Sequence, residues 1–136
     1  MKVIFITGAQ GTGKSFISTE VAKKLGIKKV ISTDTMRELL RTHVERTPET
    51  EILYRSAVLT DFVPEAKRPE IRGFKQQSKY LKECIETQIE KCKKENEDVI
   101  FEGIHLMPGL IDIDPEVNFT HIILKLLSLI TKQLII

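Results

Sequence analysis

Gly8-Ala9-Gln10-Gly11-Thr12-Gly13-Lys14-Ser15 is the stretch on which the fold turns. It follows a brief β-branched and aromatic run, Val3 to Thr7, that reads as a buried parallel strand. After it, Phe16, Ile17, Val21, Ala22 and Leu25 recur at helical spacing, so Lys14 to Leu25 reads as a helix that Gly26 ends. The pattern G-x-x-x-x-G-K-[ST], set between strand and helix, is chemistry for holding phosphates. Its glycines let the backbone curl so that its amides point inward, and the next helix turns its positive end on the same anion. Lys14 is placed to bridge terminal phosphates, and the Ser15 hydroxyl to ligate Mg²⁺. The expectation is a nucleoside triphosphate bound by Gly8, Ala9, Gln10, Gly11, Thr12, Gly13, Lys14 and Ser15. An ordinary glycine-rich turn is the alternative.

Outward from this loop, Lys29 to Ser32 reads as a second strand. Thr33-Asp34-Thr35 supplies cap-type residues for a helix from about Met36 to Val44, with Leu39 and Leu40 toward the core and Arg37 and Arg41 on the other face. Between Glu45 and Arg72 the pattern loosens, with Pro48, Pro64 and Pro69 as breakers and a short helix near Glu51 to Leu59. A long amphipathic helix follows from about Phe74 to Lys94, with Leu81, Cys84, Ile85, Gln88, Ile89 and Cys92 inward. Asp98 to Glu102 reads as a third strand and His121 to Leu124 as a fourth. Strands alternating with helices predict an α/β fold: a three-layer α/β/α domain with a mainly parallel sheet, its first strand central between the third and fourth. No repeat or linker divides residues 1–136, so one domain is expected.

Composition narrows the classes. With 21 Lys+Arg against 19 Asp+Glu the net charge is +2, too small to imply a nucleic-acid binder by itself. Cys84 and Cys92 would stand about 12 Å apart along a shared helix, beyond disulfide reach, which makes a reduced, cytoplasmic setting the default. The apolar start runs straight into the glycine-rich turn and is unlike a secretory signal. His121 to Ile136 is rich in Ile and Leu but too short for a membrane span, and Lys125 and Lys132 interrupt it.

Triphosphate binding leaves a small-molecule kinase, a GTPase or ATPase switch, and a non-catalytic binding module. The base-reading N-K-x-D signature of GTPases is missing from the sequence, and the kinase is the simplest of the three. Asp34 follows the second strand on the edge that carries the phosphate loop, where a carboxylate can orient or deprotonate an acceptor hydroxyl; it can equally cap the next helix. All six arginines, Arg37, Arg41, Arg46, Arg55, Arg68 and Arg72, lie between positions 37 and 72. Arginine suits bidentate grips on carboxylate or phosphate, so a small anionic acceptor is expected there, with Arg37 and Arg41 the first candidates. Seven acids share the stretch, and a solvated charged surface is the competing reading. Glu102, ending an apolar strand before Gly103, is placed to reach a metal or its waters, or is merely solvated. His105 and His121 lack metal-ligand spacing and read as structural.

Taken together these residues resemble the 2-phosphoglycerate kinase family of archaea. The matching stretches are Gly8 to Ser15, Ser32-Thr33-Asp34-Thr35-Met36-Arg37-Glu38 with Leu40-Arg41, Gly73-Phe74 with Gln76-Gln77, and Val99 to Gly109, which contains Glu102-Gly103-Ile104-His105-Leu106-Met107-Pro108-Gly109. The phosphate loop is shared by many families; the other segments are more particular and occur in the family's order. The resemblance covers roughly residues 2–125 and implies a nucleoside-kinase-like P-loop fold. It implies transfer of the ATP γ-phosphoryl group to the free hydroxyl of 2-phosphoglycerate, giving 2,3-bisphosphoglycerate. Lys14 and the loop amides would hold ATP, Ser15 and Glu102 the Mg²⁺, Asp34 the acceptor, and Arg37 and Arg41 its anionic groups, within an acceptor-binding segment 37–72. Family members continue into a lid and a last strand, whereas residues 126–136 match nothing expected there and no Arg follows Arg72. A truncated or frame-shifted reading is expected, ahead of a minimal domain whose apolar tail supplies the last strand.

Overall fold

Val3, Ile4, Phe5 and Ile6 are all at most 5% exposed, and successive side chains of a strand point to opposite faces. A strand buried on both sides belongs at the centre of a parallel sheet with helices above and below. The computed structural model, which describes residues 1–8, 11–43, 48, 69–106 and 108–125, has that arrangement. Its elements are β1 (Lys2–Gly8), α1 (Lys14–Leu25), β2 (Lys29–Ser32), α2 (Thr33–Arg41), α3 (Pro69–Glu95), β3 (Val99–Glu102) and β4 (Asn118–Leu124). The strands form one sheet in the order β2-β3-β1-β4, every pairing parallel. This is the α/β class expected, with β1 between β3 and β4.

The alternation of β1 divides the core. Val3 and Phe5 face one side with Val99 and Phe101, against Leu81, Ile85, Ile89 and Cys92 of α3. Ile4, Ile6 and Ile100 face the other with Ile27, and Ile17, Val21 and Ala22 of α1 pack on them. Phe5 meets Phe101 and Phe119 edge-to-face, with ring centroids 5.6 and 4.9 Å apart. Met36 and Leu40 set α2 on the α3 side.

Several boundaries and faces differ from the sequence reading. The first helix and second strand occupy the expected residues, but Phe16 and Leu25 are exposed, since the inward stripe of α1 runs through Ile17, Ser18, Val21 and Ala22. The second helix starts at Thr33, not Met36, because Ser32 is its cap: the Ser32 hydroxyl accepts from the Thr35 amide at 3.3 Å. That phase turns Thr33, Met36, Arg37 and Leu40 inward, leaving Arg37 1% and Leu39 60% exposed. The expected faces of Arg37 and Leu39 are thereby exchanged. The long helix starts at Pro69, where proline opens a helix rather than breaking it. β3 begins at Val99 because the Asp98 side chain is bonded to the Lys2 amide, at 2.6 Å. β4 begins at Asn118, since Met1 to Gly8 offer a full parallel ladder from Lys2↔Asn118 to Gly8↔Leu124. Both cysteines are free. The short helix near 51–59, Pro64 and the segment 126–136 lie outside the described residues.

The two faces of α2 and α3 can be weighed by truncation. Leu81→Ala, at a fully buried position, is expected to cost about 2–5 kcal/mol. Leu39→Ala, at an exposed one, should stay within about 0.5 kcal/mol of the parent. Urea unfolding followed by circular dichroism checks both; equal losses would contradict the assignment of Leu39 to the outer face.

Candidate active site

The carboxyl ends of β1, β2 and β3 come out at one edge because the strands are parallel and in register. Glu102 stands opposite Ile6 on one side and Ser32 on the other. Beyond that edge, Lys14, Ser15, Ser32, Asp34, Glu102, Gly103 and Ile104 line one cleft of about 230 Å³. Crevices at this edge are where open α/β sheets take ligands. Four residues singled out from the sequence, Lys14, Ser15, Asp34 and Glu102, are therefore brought together although they come from three separate segments.

The phosphate loop is built as its residues require. Gly11 and Gly13 have φ of 80° and 86°, left-handed values that glycine adopts without strain. Gly13 caps α1 without a side-chain bond, and the first turn carries no acidic residue, so the positive end of the helix faces the cleft undiluted. Deeper in the helix, Ser18 and Thr19 turn their hydroxyls back to the Lys14 and Ser15 carbonyls at 2.7 and 2.9 Å. Gly8 closes β1 and Thr12 continues the loop; Ala9 and Gln10 lie outside the described residues.

The two arginines expected at the acceptor do not line this cleft. Arg37 lies under α2, where its Nε and Nη2 each stand 3.2 Å from Asp34 Oδ1, and Nη2 is 3.9 Å from Glu38 Oε1. An arginine cannot shed its proton, so a buried one needs carboxylates beside it. Arg41 is half-buried at the C-terminal end of α2. Arg46, Arg55 and Arg68 lie outside the described residues.

Thr33, read from the sequence as a cap-type residue, and His105, read as structural, stand beside these, and their pairing was not foreseen. Thr33 and His105 are both 0% exposed, and Thr33 Oγ1 is 2.9 Å from His105 Nδ1. Burial pushes the His105 pKa down to about 4; Asp34 opposes this, while Arg37 and Lys14 reinforce it. The imidazole is thus neutral at pH 7. Gly103 packs flat against Thr33: a Cβ there would lie 1.7 Å from Thr33 Oγ1. On the far side of β1, Thr7 Oγ1 donates to the Leu106 carbonyl at 2.8 Å, so at 2.7 Å it accepts from His121 Nε2. Burial lowers the His121 pKa as well.

A magnesium ion asks for oxygen ligands and keeps several waters. The Ser15 hydroxyl and the Glu102 carboxylate in one open cleft fit that demand. Among the described residues no cluster of three or more His, Cys, Asp or Glu could enclose a metal, and no helix is long and apolar enough to cross a membrane.

A parallel sheet whose inner strand leads into Lys14-Ser15 at a helix start, with Gly11 and Gly13 just before them, defines an α/β domain of the P-loop type. Comparison with known proteins gives a particular relation. The chain is 35% identical to the 2-phosphoglycerate kinase of Thermococcus kodakarensis over 111 residues, 80% of this chain and 38% of that protein. It is 39% identical to that of Pyrococcus furiosus over 127 residues, 89% of this chain and 41% of that one. For Methanocaldococcus jannaschii the identity is 35% over 137 aligned positions, 97% of this chain and 43% of that one. The resemblance to 2-phosphoglycerate kinases thus extends along most of the chain, and the chain spans about two fifths of the length of these curated relatives. No family model matches it, nor does any solved structure.

The neutral His105 makes stability depend on pH. Its folded pKa, about 4, lies below the ordinary 6.5, so the unfolded chain binds more protons between those values. The contribution is complete above pH 6.5 and is lost as the pH falls toward 4. Up to about 3 kcal/mol is at stake. Urea midpoints of the parent should fall over that window more steeply than those of His105→Asn; parallel curves would contradict the assignment.

Proposed function

We propose that this chain carries an ATP-dependent kinase site that phosphorylates 2-phosphoglycerate at its free hydroxyl, giving 2,3-bisphosphoglycerate. The observation that supports it most is the single cleft shared by Lys14, Ser15, Asp34 and Glu102. The relatives named above are 2-phosphoglycerate kinases, which supports the choice of acceptor.

In this reading Lys14 and the amides of Gly8 to Ser15 hold the ATP phosphates. The Ser15 hydroxyl and the Glu102 carboxylate would hold Mg²⁺, which when bound neutralises phosphate charge. Asp34 orients the acceptor hydroxyl and takes its proton, while Arg37 fixes the Asp34 carboxylate from below. Arg37 therefore serves the acceptor through Asp34, and Arg41, one turn further along α2, is the candidate for its carboxylate or phosphate. Catalysis is then mainly positioning and charge neutralisation, as expected for phosphoryl transfer. Both cysteines are free, in keeping with a cytoplasmic protein.

The test is ADP formation by purified protein with Mg-ATP, with and without 2-phosphoglycerate. Acceptor-dependent turnover is expected, lowered about 10²–10³-fold by Lys14→Ala, the loss typical of removing one preorganised charge-stabilising group. Asp34→Asn should lower kcat about 10²–10⁴-fold with little change in the KM for ATP. Turnover unaltered by Lys14→Ala, or independent of 2-phosphoglycerate, would sink the proposal.

A further inference from the structure

The geometry points to His105 as a positioning residue that, through Thr33, clamps the start of α2, and with it Asp34, to the turn after β3 that follows Glu102. What this does in turnover rests on the kinase reading above; the clamp itself does not.

The last rung of the β2–β3 ladder is Ser32↔Glu102. Past it the backbones part, one entering α2 and the other turning away at Gly103, so no main-chain ladder sets the distance between Asp34 and Glu102. The next link is the bond between Thr33 Oγ1 and His105 Nδ1, joining residues 72 apart in sequence, with both side chains fully buried. Gly103 lets the strands part at contact distance, since any Cβ would overlap Thr33 Oγ1. The Gly103 amide also donates to the Ile6 carbonyl at 3.0 Å, tying the same turn to β1 and so to the root of the phosphate loop. An imidazole in that place is costly to bury unless it is bonded, and an aliphatic side chain would fill the space without that cost. What the imidazole adds is a directed bond. Arg37, one turn beyond Thr33 and equally buried, pulls the Asp34 carboxylate toward the same interior.

Four variants of the full chain separate a clamp from simple core filling. Thr33→Val keeps shape but removes the hydroxyl, and Thr33→Ser keeps the hydroxyl. His105→Asn places an amide where Nδ1 stood, and His105→Gln places it further out. Hydrogen exchange followed by mass spectrometry should show Thr33→Val quickening amides of residues 33–36 and 103–106 at least about tenfold, with those of α1 unchanged. In the kinase assay its kcat should fall about 10–100-fold, the loss typical of an outer-shell partner, with the KM for ATP within about twofold. Thr33→Ser should stay near the parent, and His105→Asn should retain more kcat and protection than His105→Gln. The inference is overturned if Thr33→Val leaves exchange at both segments unchanged, if it loosens the whole sheet evenly, or if Asn and Gln at 105 behave alike. If the parent shows no 2-phosphoglycerate turnover, the kinase reading falls, and the exchange pattern alone decides on the clamp. Should Thr33→Val fail to fold, the contrast between Asn and Gln at 105 decides on the clamp instead.

Discussion

The pairing of Glu102 with Ile6 on one side and Ser32 on the other is the constraint on which the rest depends. Parallel strands end at a common edge, because each must be re-entered through a crossover helix. With those three residues level, Lys14 and Ser15 after β1, Asp34 after β2 and Glu102 on β3 reach the same crevice. The register also sets the core. Val99 and Phe101 face α3 while Ile100 faces α1, and a slip by one residue would exchange them. It would also turn Glu102 to the opposite face. Core and cleft are therefore fixed by the same hydrogen bonds, and neither can shift alone.

Close to that edge the interior is unusually polar. Thr33, Arg37 and His105 are buried beside it, and among the described residues no buried side-chain nitrogen or oxygen lacks a partner. Each meets the cost of burial in a different way. Thr33 and His105 bond to one another. Arg37 leans on Asp34 and Glu38, whose own carboxylates reach solvent. His105 gives up its charge, because burial and the positive fields of Arg37 and Lys14 outweigh the pull of Asp34.

Features with local causes were legible in the sequence. The phosphate loop, α1 and β2 follow from residues that touch their neighbours in the chain, and the parallel α/β class follows from their alternation. Lys14, Ser15, Asp34 and Glu102 were legible because each sits at a fixed offset from a strand end. The phase of α2 was not. Ser32, Thr33, Asp34 and Thr35 can all cap a helix, and the choice of Ser32 depends on the strand holding its backbone extended, at φ −84° and ψ 126°. With the phase went the faces: a cation between Met36 and Leu40 reads as surface until its carboxylate partners and the sheet beneath it are known. Asn118 and Thr120 hid the first half of β4, an edge strand whose ladder with β1 tolerates polar residues. The pairing of Thr33 with His105 had no local signal at all.

Holding Asp34 therefore involves two separate tasks, divided among Thr33, His105 and Arg37. A bond between neutral groups in the interior sets where its segment lies, and such a bond is indifferent to ionic strength. Arg37 acts on the carboxylate itself, by charge, through contacts on a side chain that is half in water and open to screening. Were His105 charged, it would bring a further positive group near Lys14 and Arg37 and compete with Arg37 for Asp34. Its neutrality at pH 7 keeps the two tasks apart: Thr33 and His105 govern position, and Arg37 tempers charge. In the kinase reading proposed above, an acid that faces both an incoming anion and Lys14 would be served by that division, because its place does not move when the charges around it change.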